Sequence, residues 1–206
     1  MSDSIAATAD NSTWVTLEIA TPPAALFEYL KNFERLFRLN PYLDIKQWVE
    51  REGGKRFQLE ALNEMNGVTY SLDIDVESIQ ASTYFLLRYS QGLKETLEIT
   101  IQAASDQHKS ILTLREHYHQ TTQEQREQQL QEIDHSLIPW GKSIRLYILG
   151  LQRWAWFWPY RWYHEKVWLP MRPTHRRISR MLIWVTLLEF VVFLFVFIIY
   201  WLELAR

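Results

Sequence analysis

Val68 to Ser78 reads VTYSLDIDVES, and its alternation decides the class of fold. Val68, Tyr70, Leu72, Ile74 and Val76 fall on one side of an extended chain, and Thr69, Ser71, Asp73, Asp75 and Glu77 fall on the other. Side chains of a strand point alternately to its two faces, so one face of this strand must be covered and the other must meet water. That is the pattern of an antiparallel sheet with a single buried face.

The stretches on either side repeat the theme. Upstream, Ile45–Glu52 and Arg56–Leu62 are strands joined by a tight turn at Glu52-Gly53-Gly54-Lys55, and Asn66-Gly67 turns the chain into Val68. Downstream, Thr83–Tyr89, Leu93–Ala103 and Ser110–His119 continue the meander, separated by Gln91-Gly92 and by the polar loop Ser105–Lys109. Near the N-terminus, Trp14–Ala20 (WVTLEIA) alternates in the same way, bringing the expected strands to seven. Between this strand and the meander, Thr21 is an expected N-cap, proline follows in the first turn, and apolar residues at Leu26, Phe27, Leu30, Phe33, Leu36, Phe37 and Leu39 have helical spacing. The apolar face shifts near Lys31-Asn32, so two short helices are expected, ending at Asn40-Pro41.

After the meander, residues 121–135 are polar and favour helix, and Ile133, Leu137, Trp140, Ile144, Ile148 and Leu151 then recur in steps of three and four. This predicts an amphipathic helix facing the sheet, kinked at Pro139 and thinned at Gly141 and Gly150, where a missing side chain permits close backbone approach or ligand access. The character changes at Arg153. Five of the ten tryptophans lie between Trp154 and Trp168, interleaved with Arg153, Arg161 and Lys166. Trp154, Trp156, Trp158, Trp162 and Trp168 suit a bilayer interface, where an indole keeps its ring in apolar surroundings and its N–H in polar ones. Arg172, Arg176, Arg177 and Arg180 follow, and from Met181 onward 22 residues contain one acidic or basic member, Glu189. At about 1.5 Å per residue that run spans a hydrocarbon core of about 30 Å, and the basic cluster before it places the N-terminal side in the cytoplasm. A single-pass, tail-anchored chain is expected, with an inner or plasma membrane as its site. Glu189 within the span points to a partner helix, a homo-oligomer contact or a neutral, protonated side chain.

Charge and composition exclude other classes. Residues 1–150 carry a net charge of −7 and residues 151–206 a net charge of +5, so the acidic domain offers no footprint for nucleic acid, whereas the basic segment suits anionic head groups. Cysteine is absent, which removes disulfides, thiolate nucleophiles and cysteine metal sites. The opening MSDSIAATADNS is polar, with no apolar h-region of a signal peptide.

The segment from Pro23 to Pro41, containing ALFEYLKNFERLFRLNP, together with the element order around it, resembles the opening of the START-type, SRPBCC superfamily. The resemblance covers about residues 12 to 155. It implies an α+β helix-grip fold: a seven-stranded curved antiparallel sheet around a long C-terminal helix, here followed by one transmembrane helix. The expected organisation is a disordered leader (1–12), a START/SRPBCC-like domain (13–152), a Trp/Arg-rich interfacial segment (153–177), a transmembrane helix (178–202) and a short tail (203–206). The family binds hydrophobic molecules such as lipids, sterols, quinones or polyketides between sheet and helix. Binding or transfer of such a ligand is therefore expected, with a cyclase or dehydratase using Glu116 or Tyr70 as acid or base, or a ligand-free interaction module, as alternatives.

The apolar faces nominate the residues of a cavity. They are Phe57 and Leu59, then Val68, Tyr70 and Leu72, then Phe85 and Leu87, Leu97 and Ile99, and finally Leu112 and Leu114. Glu116 and Tyr118 share the parity of Leu112 and Leu114, so a regular strand aims a carboxylate inward, where it needs a partner; a bulge would let it reach water instead. His117 and His119 lie together on the opposite face without a third ligand at metal-binding spacing. There is no phosphate-binding glycine loop and no nucleophile elbow, so neither cofactor nor metal is expected.

Overall fold

The computed structural model describes residues 12–80, 83–92, 94–106, 108–119, 137–154 and 156–204. The expected leader, the polar stretch 121–135 with Ile133, and Leu93 lie outside them, apart from Ser12, which opens the first strand.

Seven antiparallel strands form one sheet: β1 (Ser12–Ile19), β2 (Leu43–Arg51), β3 (Arg56–Asn63), β4 (Thr69–Gln80), β5 (Tyr84–Tyr89), β6 (Lys94–Ala103) and β7 (Ser110–Tyr118). Their spatial order is β1-β7-β6-β5-β4-β3-β2. Every neighbour from β2 to β7 is thus a sequence neighbour, and only β1 crosses over, to pair with β7. The alternation of β4 is present in the structure, with Ile74 fully buried and Thr69, Ser71 and Asp73 exposed.

Registry aligns the apolar faces across the sheet. Phe85 stands opposite Ile99, Ile99 opposite Leu114, and Leu114 opposite Val15. Further along the strands, Leu87 meets Leu97, Leu97 meets Glu116, Leu59 meets Leu72 and Ala61 meets Tyr70. Irregularities fall between Ile45 and Gln47, between Val76 and Ser78, and between Lys94 and Thr96. Each extra residue bends its strand and adds local twist, which is how a sheet with one covered face curls over what covers it.

Two short helices, α1 (Pro23–Leu30) and α2 (Phe33–Arg38), break where the apolar face shifts, and Asn32 caps the second by accepting from the Arg35 N–H at 2.8 Å. Thr21 does not cap α1. It is fully buried, its carbonyl accepting from Ser110 Oγ at 2.5 Å and its hydroxyl accepting from Gln152 Nε2 at 2.7 Å, so it ties β1, β7 and the next helix together. That helix, α3 (Leu137–Arg153), packs across β1 and buries Leu137, Trp140, Ile144, Tyr147, Ile148 and Leu151. Pro139 lies within the described helix, which continues past it to Arg153. Gly141 explains the closeness of the packing, since a Cβ there would lie 2.6 Å from Leu17 Cδ1 and 3.3 Å from Val15 Cγ1.

The Trp-rich segment is helical: α4 (Trp158–Trp162) runs into a π-helical turn, Tyr163–Trp168. Trp168 packs against the core and Leu169 joins it, so one compact unit continues to Pro170. A second unit begins at Met171 and consists mainly of α5 (Pro173–Leu204), 32 residues with an 18-residue window of mean hydropathy 2.9. Among the described residues it is the one helix long and apolar enough to cross a membrane.

Candidate functional site

The inner face of the sheet is not filled evenly. α1 and α2 bring Phe27, Phe33 and Phe37 onto it, and Phe85 stacks on Phe27 at 4.5 Å while meeting Phe33 edge-on at 5.5 Å. Under these rings Phe85, Leu87, Leu97, Ile99, Leu112 and Leu114 are wholly buried, and Phe57 nearly so against Trp48 at 5.0 Å. These seven expected cavity residues form solid core, because the short helices plug that end of the grip.

Beyond the plug a cavity of about 280 Å³ opens, walled by Leu59, Val68, Tyr70, Leu72, Glu116 and Tyr118 from the expected set. Phe37, Asn40, Leu43, Tyr89, Gln91, Gly92, Lys94 and Trp140 complete it. Its depth follows from burial. Leu59, Trp140 and Glu116 are almost inaccessible, Tyr70 and Leu72 are half-buried, and Gln91 and Gly92 are exposed at the mouth. Trp140 is held by its indole N–H, which donates to the Leu36 carbonyl at 2.8 Å, so the helix wall and the end of α2 are pinned together.

One polar feature interrupts the apolar floor. Glu116 is 1 % exposed; its Oε1 accepts from Lys94 Nζ at 2.7 Å and its Oε2 from the Tyr118 hydroxyl at 2.9 Å. The Tyr118 oxygen lies 3.3 Å from Thr13 Oγ1, which extends the network onto β1. The inward-pointing reading of Glu116 is therefore the one the structure adopts, and the carboxylate is satisfied by a cation and a phenol rather than by water. Burial pushes the Tyr118 hydroxyl well above the ordinary tyrosine value, and the adjacent Glu116 carboxylate adds to the effect.

Of the eight lining residues that sequence reading did not nominate, Lys94 is the charged one. Strict alternation from Leu97 points it outward. The irregularity between Lys94 and Thr96 inserts Glu95, so Lys94 pairs with Tyr118 and turns inward while Glu95 faces Arg88 and His119 outside. Tyr89 shares the parity of Phe85 and Leu87, a signal that could have found it, although the sequence reading did not nominate it. His117 approaches Glu98 at 3.4 Å and His119 approaches Glu95 at 4.0 Å, each beside a carboxylate of its own. Among the described residues no group of three or more potential ligands could hold a metal.

A sheet gripping its last helix, with a hollow between them, names the architecture. The fold is a helix-grip. Solved structures with the same layout include a protein from Arthrobacter aurescens, with TM-score 0.53, 11 % identity, 69 % of this chain and 88 % of that one. A protein from Rhodobacter sphaeroides overlaps with TM-score 0.52, 11 % identity, 73 % of this chain and 99 % of that one. A START superfamily protein from Mycobacterium smegmatis is a looser neighbour, at TM-score 0.48 and 14 % identity over 66 % of this chain and 98 % of that one. No family model matches the sequence, and no curated protein matches it significantly.

Outside the helix-grip cavity, Trp154, Trp156, Phe157, Trp158 and Trp162 present large exposed rings, with Trp156 at 77 % and Trp158 at 71 %. The Arg153 guanidinium stacks over Trp154 at 5.9 Å, so cations and indoles share this surface. Trp168 is the exception among the five, since it packs inward. Arg172, Arg176, Arg177 and Arg180 belong to the second unit, at the start of α5, where Arg176 is buried and its Nε donates to the Met171 carbonyl at 2.8 Å.

Proposed function

We propose that the chain is a single-pass membrane protein whose N-terminal unit holds one hydrophobic small molecule, with that molecule's polar group directed to Lys94, Glu116 and Tyr118. The observation that carries the reading is a buried carboxylate, Glu116, paired with the partly exposed Lys94 at the floor of a largely apolar hollow. A carboxylate withdrawn from water seldom stabilises a fold more than packed apolar side chains would, so its position beside unfilled space favours recognition over stability. The resemblance of Pro23–Pro41 and the element order to the START-type superfamily supports the same class of ligand.

Size and charge narrow that class. A volume of about 280 Å³ sits near the lower end of the roughly 300–1,000 Å³ usual for small-molecule sites, which suits a single chain or ring system. The Lys94–Glu116 pair is neutral overall. A ligand carboxylate or phosphate would add a net charge to the hollow, whereas a hydroxyl or carbonyl would not. No reaction is proposed, since both Glu116 oxygens are engaged and a general base would first have to surrender one of those partners.

The membrane part of the reading is supported by the length and hydropathy of α5, by the exposed indoles from Trp154 to Trp162, and by the basic residues before the span, which favour a cytoplasmic N-terminal unit. On this reading the ligand-binding domain runs to Pro170, beyond the boundary at 152 expected from sequence.

The test is mass spectrometry of organic-solvent extracts from the full chain purified in mild detergent, alongside a Leu72→Trp variant that fills the cavity. One apolar molecule per chain is expected in the wild type and little in the variant. An empty but folded wild type, or a variant that retains the molecule equally, would overturn the assignment to the cavity.

A further inference from the structure

Glu189 stands midway along α5, and among the described residues no hydrogen bond or ion pair reaches it. In a span surrounded by lipid a carboxyl at that depth has no water to hydrogen-bond, so it calls for a partner from another chain. The face that carries it has a pattern of its own. Leu182, Val185, Glu189, Val192 and Val196 recur in alternating steps of three and four, and the stripe continues through Ile199 to Glu203. That is a period of about 3.5 residues, the spacing at which two helices winding left-handedly around each other keep one seam in contact.

The two sides of α5 differ in bulk. Three of the five central seam positions are valine, and Thr186 lies beside Glu189 one turn earlier. The opposite side carries Trp184, Leu187, Leu194, Ile198 and Trp201. Compact side chains let helix backbones approach within a membrane, and large ones pack well against lipid. The stripe holds no basic group between Leu182 and Glu203 that would mark an opposite-charge pairing with itself. A protonated carboxyl is nevertheless self-complementary, because its hydroxyl donates and its carbonyl oxygen accepts.

We infer that α5 is a homodimerisation element, in which two parallel copies meet along Leu182, Val185, Glu189, Val192 and Val196 and their Glu189 carboxyls hydrogen-bond to each other at the membrane mid-plane. The copies are parallel because every single-pass chain enters the same membrane in one orientation, which brings identical residues to identical depths. The inference rests on the reading that α5 crosses a membrane.

The chain contains no cysteine, so single cysteines introduced into the full-length protein report contacts without background. Val185→Cys and Val192→Cys on the seam, and Leu187→Cys and Leu194→Cys on the other side, are oxidised in intact membranes and the products separated by mass. The seam positions are expected to give cross-linked homodimer about tenfold in excess of the other two, the scale set by an interhelical hydrogen-bonded contact. Adding Glu189→Leu to Val192→Cys should remove that excess, and Glu189→Gln, whose amide is also self-complementary, should retain it. Equal or negligible cross-linking at all four positions, products containing a different protein, or indifference to Glu189→Leu would overturn the proposal. Alkaline extraction of the same membranes separates the two failures: release of the chain overturns the membrane reading, whereas a retained chain without seam cross-links overturns dimerisation alone.

Discussion

The two ends of the gripping sheet are made from the same alternating strands, yet one is solid and the other hollow. At the solid end Phe27 and Phe33 descend from α1 and α2 onto Phe85, and Leu97, Ile99, Leu112 and Leu114 are fully enclosed. At the hollow end the last rings over the sheet are Phe37 and Trp140, 5.5 Å apart, and beyond them Leu59, Tyr70 and Leu72 face space. The lesson is that the strands supply an apolar face throughout, and the covering elements decide where that face becomes core and where it becomes a site. The Lys94–Glu116–Tyr118 network sits at the hollow end, where Glu116 takes the place in its row that Leu114 and Leu112 hold further along β7.

The difference between the ends can be broken or sharpened by substitution. The largest effect is expected at the solid end, where Phe85→Ala empties the stack beneath Phe27 and Phe33 and should cost about 3–5 kcal/mol in denaturant unfolding of the N-terminal unit. A loss under about 1 kcal/mol would mean that this end is not solid. Next comes Glu116→Ala, which leaves Lys94 without its carboxylate. Lys94 is only a quarter exposed, so the expected loss is about 2 kcal/mol. Removing both charges as Lys94→Met with Glu116→Leu should restore most of that stability while abolishing retention of the proposed ligand, which separates recognition from folding.

The third effect depends on pH. The Tyr118 hydroxyl has its pKa raised in the folded protein, chiefly by burial, from an ordinary value of 10.0. Below about pH 10 both folded and unfolded chains hold a neutral phenol, and the contribution of Tyr118 is fully present. Above that pH the unfolded chain ionises first and binds fewer protons, so stability falls as pH rises, by up to about 1.4 kcal/mol per unit for this group. Unfolding titrations of Tyr118→Phe between neutral and strongly alkaline pH should lack this share of the slope, and an unchanged slope would place Tyr118 in contact with solvent. The smallest effect is expected from Leu72→Ala. A side chain that already faces a hollow leaves little new cavity behind it, so the loss should stay below about 1 kcal/mol, against several for a comparable truncation at Leu97. Equal losses at the two positions would erase the distinction between the ends.

Much of this architecture was legible in the chain. The alternation of Val68–Val76 specified a sheet with one covered face, the break near Lys31-Asn32 separated α1 from α2, and the steps of three and four from Leu137 to Leu151 marked the gripping helix and the side it buries. The apolar run after Met181 likewise specified a helix of membrane-spanning length. These are local properties, set by how side chains project from a strand or a helix, and periodicity encodes them directly. What lies above a face is not local. Phe85 and Leu72 carry the same inward parity, and only the placement of α1, α2 and Trp140 over the sheet makes one of them core and the other a cavity wall. Lys94 needed tertiary structure for a second reason, since a single inserted residue reverses parity and no alternation pattern announces where a strand will bulge. The sequence by itself determined which residues would turn inward along regular strands and helices. The fold decided where they would meet, and so put an ion pair at the floor of the hollow.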